Sequence, residues 1–213
     1  MRFGFLMYPG YEELDMIGPW ELATMWKAYA GGPDCVTVAQ TTQEMRCAKG
    51  LLTRAHHSYA DVGQLDYLLI PGGFATFEEI KNPVTVEFVR HQAKGAKAVL
   101  SVCTGTFLLQ AAGLLDGGVK VATNWKMIAT LRESGVEVIE ERYVQDGSIW
   151  SSAGVAAGMD MLLAFIAHEA GPEAAWATQY QSEYLAEGKL YGEVAAWGNA
   201  PGYARRLKAP PTT

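Results

Sequence analysis

The sequence predicts an α/β domain: a mostly parallel sheet with helices on both faces. Short apolar runs alternate with longer helix-like segments, and each run is near-continuously apolar, as in strands buried on both faces. The residues that carry chemistry fall where those runs end: Asp15, the Gly72-Gly73 pair, Cys103 and Asn124. Ligands of open α/β sheets bind along that edge. A chain of 213 residues, 49% hydrophobic and 19% charged, is long enough for one domain with a large core, or for one domain plus an appendage.

Residues 3–8 form the first strand, broken by Pro9 and Gly10. Glu12, Glu13 and Asp15 follow in the first loop. A helix over 19–29 opens on Pro19, whose missing N–H is no loss in a first turn, and stops at Gly31, Gly32 and Pro33. Residues 35–39 are the second strand, with Cys35 as a core residue. Residues 41–62 are less regular, with a hairpin of 45–49 against 51–55 through Gly50. Cys47 there reads as structural or incidental. His56 and His57, being adjacent, are poorly spaced for joint metal ligation; they read as a solvated edge unless one reaches the site.

Residues 67–70 are another strand, ending in Pro71-Gly72-Gly73-Phe74. The glycines admit two readings, a tight βα turn or backbone N–H groups aimed at the crevice as an oxyanion hole. A helix over 84–94 is capped by Gly95. The strand 97–102 leads to Cys103, and a helix over 104–112 begins at once. A strand passing straight into a helix forces a sharp turn that lifts one side chain into the crevice. That is the geometry of a nucleophile elbow, with Cys where hydrolases carry Ser. Ser101 and Gly105 are small enough to allow the close approach it needs. A strand at 119–122 delivers Asn124, and a helix covers 126–133. Short strands follow at 136–139, 143–145 and 149–151, the last two joined at Asp146-Gly147. The apolar helix 154–168 holds Met159 and Met161 as core residues and His168 in its last turn. A helical segment over 173–187 carries Trp176, Tyr180 and Tyr184 on one face, a packing surface for the domain or a partner subunit. Residues 198–213 read as an irregular tail.

A net charge of -6 argues against nucleic-acid and membrane-surface partners and points to small molecules or a second copy of the chain. Three cysteines without a C-x-x-C pair argue against a disulfide framework and for a reducing cytoplasm. The first residues read as a buried strand and not as a signal peptide. No stretch is long and apolar enough to span a membrane.

Cys103 is the candidate nucleophile. A helix N-terminus favours its thiolate; a carboxylate of the first loop, Asp15 before Glu12 or Glu13, could instead hold the proton. A Cys hydrolase normally has a His base. None of His56, His57, His91 and His168 ends a predicted parallel strand, and the strand 119–122 offers Asn124, which cannot accept a proton at neutral pH.

The segments LMYPGYEELDMIGPWELA (6–23), LLIPGGF (68–74), SVCTGTFLLQAAGLLDG (101–117), VATNWKMI (121–128) and SSAGVAAGMDMLLAFI (151–166) resemble the DJ-1/PfpI superfamily over roughly the first 170 residues. Within it the sequence is most similar to the isonitrile hydratase branch and to the related domain of AraC-type regulators. The resemblance implies a three-layer, flavodoxin-like or class I glutamine amidotransferase-like domain over 1–197, with 170–197 diverging from the family and 198–213 as tail. It implies Cys103 as nucleophile and Asp15 as acid and base. Gly72, Gly73, Thr104 and Asn124 would bind substrate, the Gly73 and Thr104 amides stabilising negative charge. It implies no cofactor or metal, a homodimer with the first helix near its interface, and hydration of an isonitrile to a formamide through a Cys103 thioimidate. Asn124 stands where regulator and peptidase-like branches often carry His. The other readings are a glyoxalase-like or amide-hydrolysing enzyme of the same superfamily, and a cysteine-based oxidative-stress sensor. A regulator's ligand-binding domain is disfavoured by the acidity and by the lack of room for a helix-turn-helix module after residue 170.

Overall fold

The computed structural model describes residues 1–184 and 202–205. The expected tail lies outside the described residues except for 202–205, as do the last residues of the segment expected to reach 187.

The chain runs β1 (Arg2–Leu6), α1 (Glu13–Ala30), β2 (Asp34–Ala39), β3 (Met45–Arg46), β4 (Leu52–Thr53), β5 (His57–Ser58) and β6 (Tyr67–Ile70). Next come α2 (Thr76–Glu79), α3 (Pro83–Gly95), β7 (Ala98–Val102), a 3-10 turn (Cys103–Gly105) and α4 (Thr106–Ala111). Then follow β8 (Lys120–Val121), a second 3-10 turn (Trp125–Met127), α5 (Ile128–Glu133), β9 (Glu137–Val138), β10 (Tyr143–Asp146), β11 (Ile149–Ser152), α6 (Ala157–Ala170), α7 (Pro172–Ser182) and α8 (Gly202–Arg205).

The main sheet has the order β10-β11-β7-β6-β1-β2-β5, parallel throughout except for the β10–β11 hairpin. From β1 the chain passes through α1 to β2 on one side. It then returns to β6 on the other side and proceeds through α3 to β7. Right-handed crossovers running in opposite directions place α1 and α3 on opposite faces. The helices α1, α6 and α7 pack together on one face, and α2, α3 and α4 form the other layer. The order reverses between β1 and β6, so the crevice of the fold opens above those two strands.

The layers are joined by aromatic side chains. Phe165 of α6 meets Tyr67, Trp150, Phe3 and Trp26 edge-on, with ring centroids 5.1, 5.5, 6.0 and 6.3 Å away. Each such ring contributes about 1.5–3 kcal/mol through burial.

Three expectations are corrected. The first helix starts at Glu13, so Asp15 lies in its first turn and Pro19 inside it. Acidic residues suit a first turn, and Pro19 is buried facing Gly158 of α6, where an added Cβ would stand 3.2 Å from the ring. The strand expected at 119–122, β8, lies outside the main sheet and pairs in parallel with β9, because β11 occupies the edge of β7. Of the aromatic stripe of the last helical segment, only Tyr184 packs against the domain core. Ala174 and Thr178 are buried, while Trp176 and Tyr180 are exposed. Within the expected tail, residues 202–205 are helical.

Candidate active site

Cys103 follows the last residue of β7 and opens the 3-10 turn in the left-handed region, with φ 60°. A non-glycine residue held there costs about 1–3 kcal/mol, and the surroundings hold it firmly. The elbow presses onto the end of β6: a Cβ at Gly105 would stand 2.4 Å from the Ile70 carbonyl oxygen and 2.9 Å from that of Pro71. The Thr123 hydroxyl donates to the Cys103 carbonyl at 2.8 Å, and the Thr106 hydroxyl donates to the Ala122 carbonyl at 2.9 Å. Ser101 and Thr106 are hydroxyl to hydroxyl at 3.0 Å. The small residues expected to permit a tight elbow are thus the ones at its closest approaches.

Asp15 is fully buried. Its Oδ2 accepts the Gly72 N–H at 2.9 Å, and Oδ1 has no hydrogen-bond partner among the described residues. Burial pushes the carboxyl up to about 7, against the Gly72 N–H, the Cys103 thiol and the Val155 backbone, which favour the anion. Burial, and then the charge of Asp15, push the Cys103 thiol up to about 12; the Thr104 amide, Asn124 and the Thr104 hydroxyl pull it the other way. The helix terminus therefore does not make Cys103 a resting thiolate, since desolvation outweighs it. The carboxylate facing it is the group suited to take its proton.

The glycine pair does both things considered for it, but in the service of protein groups. The Gly72 N–H is taken by Asp15. The Gly73 N–H donates to Thr104 Oγ1 at 2.8 Å, and the Thr104 hydroxyl donates to the Gly73 carbonyl at 2.9 Å. In this arrangement Gly73 offers no free donor to a substrate oxyanion. An added Cβ on Gly72 would lie 2.5 Å from the Thr104 amide nitrogen, so only glycine permits the contact. Asn124, three residues past β8 and capping the second 3-10 turn, directs its Nδ2 to Cys103 Sγ at 3.4 Å.

The pocket over Cys103 has a volume of about 250 Å³ and is bordered by Glu12, Phe74, Asn124, Trp125, Met127 and Val155. Of the other first-loop acids, Glu12 borders the pocket and pairs with Lys49, and Glu13 accepts the Lys49 backbone N–H at 2.7 Å. No histidine is at the sulfur. His56 Nδ1 accepts the Thr37 N–H at 3.1 Å, His57 pairs with Asp61 at 3.1 Å, His91 is exposed on α3, and His168 lies against Trp150. Cys47 is buried 3.4 Å from the Thr53 hydroxyl, whereas Cys35 is only half-buried.

Two features escaped the sequence reading. Val155, a β-branched residue before α6, has φ 51° and presents its backbone to Asp15. The Tyr8 hydroxyl is 2.9 Å from that of Thr76, which is 3.1 Å from that of Thr104. Val155 left no local signal. Tyr8, a polar-tipped residue closing an apolar run, did leave one.

A profile of the DJ-1/PfpI family matches residues 1–168. The isonitrile hydratase of Pseudomonas putida is 31% identical over 193 residues, covering 86% of this chain and 78% of that one. The HTH-type transcriptional regulator CdhR of Pseudomonas aeruginosa is 25% identical over 176 residues; the match takes in 81% of this chain but only 52% of the regulator, so the chain spans about half its length. Among solved structures, a ThiJ/PfpI family protein from Pseudomonas syringae superposes with a TM-score of 0.81 at 29% identity, over 87% of this chain and 76% of that one.

Proposed function

The chain belongs to the DJ-1/PfpI family, and from that premise we propose that it is a cysteine-dependent hydratase converting an isonitrile to an N-substituted formamide. One observation carries the reading: a buried carboxyl, Asp15, faces a buried thiol with no histidine at the sulfur. A single carboxylate that gives and takes one proton suits the addition of water across a small electrophile better than triad hydrolysis. The similarity to the Pseudomonas putida isonitrile hydratase supports the choice of electrophile.

In this mechanism the Asp15 carboxylate takes the thiol proton as sulfur attacks the terminal isonitrile carbon. The same proton passes to that carbon, leaving a thioimidate on Cys103. Asp15 then removes a proton from water as its oxygen adds to the thioimidate carbon. The carbon–sulfur bond breaks, the nitrogen ends protonated, and Cys103 regains its hydrogen as the formamide leaves. Asn124 Nδ2 and the Thr104 amide stabilise the sulfur while it carries charge. No step calls for a free donor at Gly73. A thiol pushed up to about 12 is a slow target for peroxide, which speaks against a sensor role.

Formamide production is to be measured from a panel of alkyl isonitriles, with methylglyoxal in parallel, for wild type, Cys103→Ala and Asp15→Asn. Wild type should form formamide, and both variants should lose at least about 10³-fold. Formamide from Cys103→Ala would overturn the covalent route, and turnover of methylglyoxal alone would overturn hydration.

A further inference from the structure

Tyr8 lies just past β1, is 2% exposed and does not border the pocket over Cys103. Its ring stands edge-on to Tyr11, with centroids 6.2 Å apart. Its hydroxyl is 2.8 Å from the Pro71 carbonyl oxygen, 3.1 Å from that of Gly72 and 2.9 Å from the Thr76 hydroxyl. The Gly72 carbonyl already accepts the Glu12 N–H at 2.8 Å, so the phenol donates to Pro71. Burial keeps the phenol protonated by pushing it well above its usual range.

This bond matters for what lies at the other end of the same peptide group. The Pro71 carbonyl and the Gly72 N–H are opposite ends of one planar, conjugated unit. That N–H donates to Asp15 Oδ2 at 2.9 Å, while Oδ1 has no hydrogen-bond partner among the described residues. A donor on the carbonyl draws electron density through the amide and makes its N–H a stronger donor in turn. It also fixes the plane of the peptide and so the direction of the N–H. Thr76 extends the chain. The Thr104 hydroxyl gives its hydrogen to the Gly73 carbonyl, and a carbonyl only accepts. The Thr76 hydroxyl lies 3.1 Å from Thr104 and nearer to Tyr8, and given to Tyr8 its hydrogen reinforces the phenol's own donation. The titratable and charged groups around Asp15 are Glu12 before it, Lys49 of the turn between β3 and β4, and Cys103; Glu79 of α2 faces Tyr8. Removing the Tyr8 hydroxyl alters none of these charges.

We propose that Tyr8 is a positioning residue of the Asp15–Cys103 pair, its hydroxyl orienting and polarising the Pro71–Gly72 peptide so that the Gly72 N–H holds the carboxylate in place. That this carboxylate is the base of hydration rests on the reading above; the hold of Tyr8 on Asp15 does not.

The titration of Asp15 is to be followed by NMR through its carboxyl carbon in protein carrying isotope-labelled aspartate, the signal being assigned by its loss in Asp15→Asn. Wild type should titrate at about 7. In Tyr8→Phe the Gly72 N–H is a weaker donor to the anion, so the midpoint should rise by about half a pH unit, a fraction of one charge-assisted hydrogen bond. A ring-fluorinated tyrosine in place of Tyr8 keeps the hydroxyl but donates more strongly, and should lower the midpoint. With a neutral isonitrile, the acid limb of kcat/KM should move with the titration in each protein. A lowered Tm in Tyr8→Phe with an unmoved midpoint, the mark of a merely structural hydroxyl, would overturn the proposal, and so would a shift in the same direction in both proteins. If Tyr8→Phe does not fold, the fluorinated protein decides, and a midpoint that stays or rises there overturns it. If no isonitrile is turned over, the hydration reading fails while the Asp15 titration still judges Tyr8.

Discussion

Burial acts on Asp15 and Cys103 in the same direction, raising both. The thiol stays protonated through the physiological range, and the carboxyl ionises near 7. Proton removal from Cys103 needs Asp15 as carboxylate. The rate kcat/KM is therefore expected to fall about tenfold per pH unit below 7 and to level off above it, as a pH profile with a neutral isonitrile would show. Stability runs the opposite way. A carboxyl whose pKa rises from 3.8 to about 7 on folding contributes fully below pH 4, and the contribution is lost as pH climbs to 7. Asp15→Asn should thus match wild type in denaturant unfolding at pH 3.5 and exceed it at pH 8 by about 4 kcal/mol. Equal stability at pH 8 would mean that Asp15 is not ionised at a cost there.

The elbow is the element on which the site depends, and much of it was legible. A strand abutting a helix, a Cys at the junction and Gly105 two residues later place the nucleophile. The consequence of the contact at Gly105 is steric and local. In Gly105→Ala the new carbon meets backbone oxygens of Ile70 and Pro71, which cannot rotate away. The expected loss is about 3 kcal/mol of stability, visible as a lowered urea midpoint, together with a displaced Cys103. The use of the Gly72 and Gly73 amides was not legible. A glycine pair after a strand announces close approach, but whether its amides face substrate or protein depends on Asp15 and Thr104, which arrive from distant parts of the chain. Asn124, expected at the crevice to bind substrate, has its Nδ2 at the sulfur although its strand lies outside the main sheet, because its position is held by β11: the Ala122 N–H donates to Ser151 Oγ at 2.8 Å.

Over the whole molecule, the order of elements and the parallel sheet followed from apolar runs and their spacing, since a strand buried on both faces has little freedom in composition. Helix starts and small sheets were less visible, being settled by tertiary packing: Pro19 sits inside α1 against α6, and β8 finds β9 only after β11 has filled the edge. The packing of α7 through Ala174 and Thr178 was hidden by the more prominent aromatic residues beside them. That packing makes α7 part of the domain although it lies past the family match. Ala174→Glu, which forces a carboxylate into the contact with α1 and α6, is expected to lower Tm by about 5–10 °C in a thermal melt. An unchanged Tm would show α7 to be dispensable. The strained elbow has a further consequence on the timescale of descent. Cys103 in the left-handed region and Asp15 ionised in the interior both work against folding. Drift under selection for folding alone would favour glycine at the first position and an amide at the second, each as a single stabilising step. A lineage that ceased to use this pocket would be expected to erode it from these two residues outward.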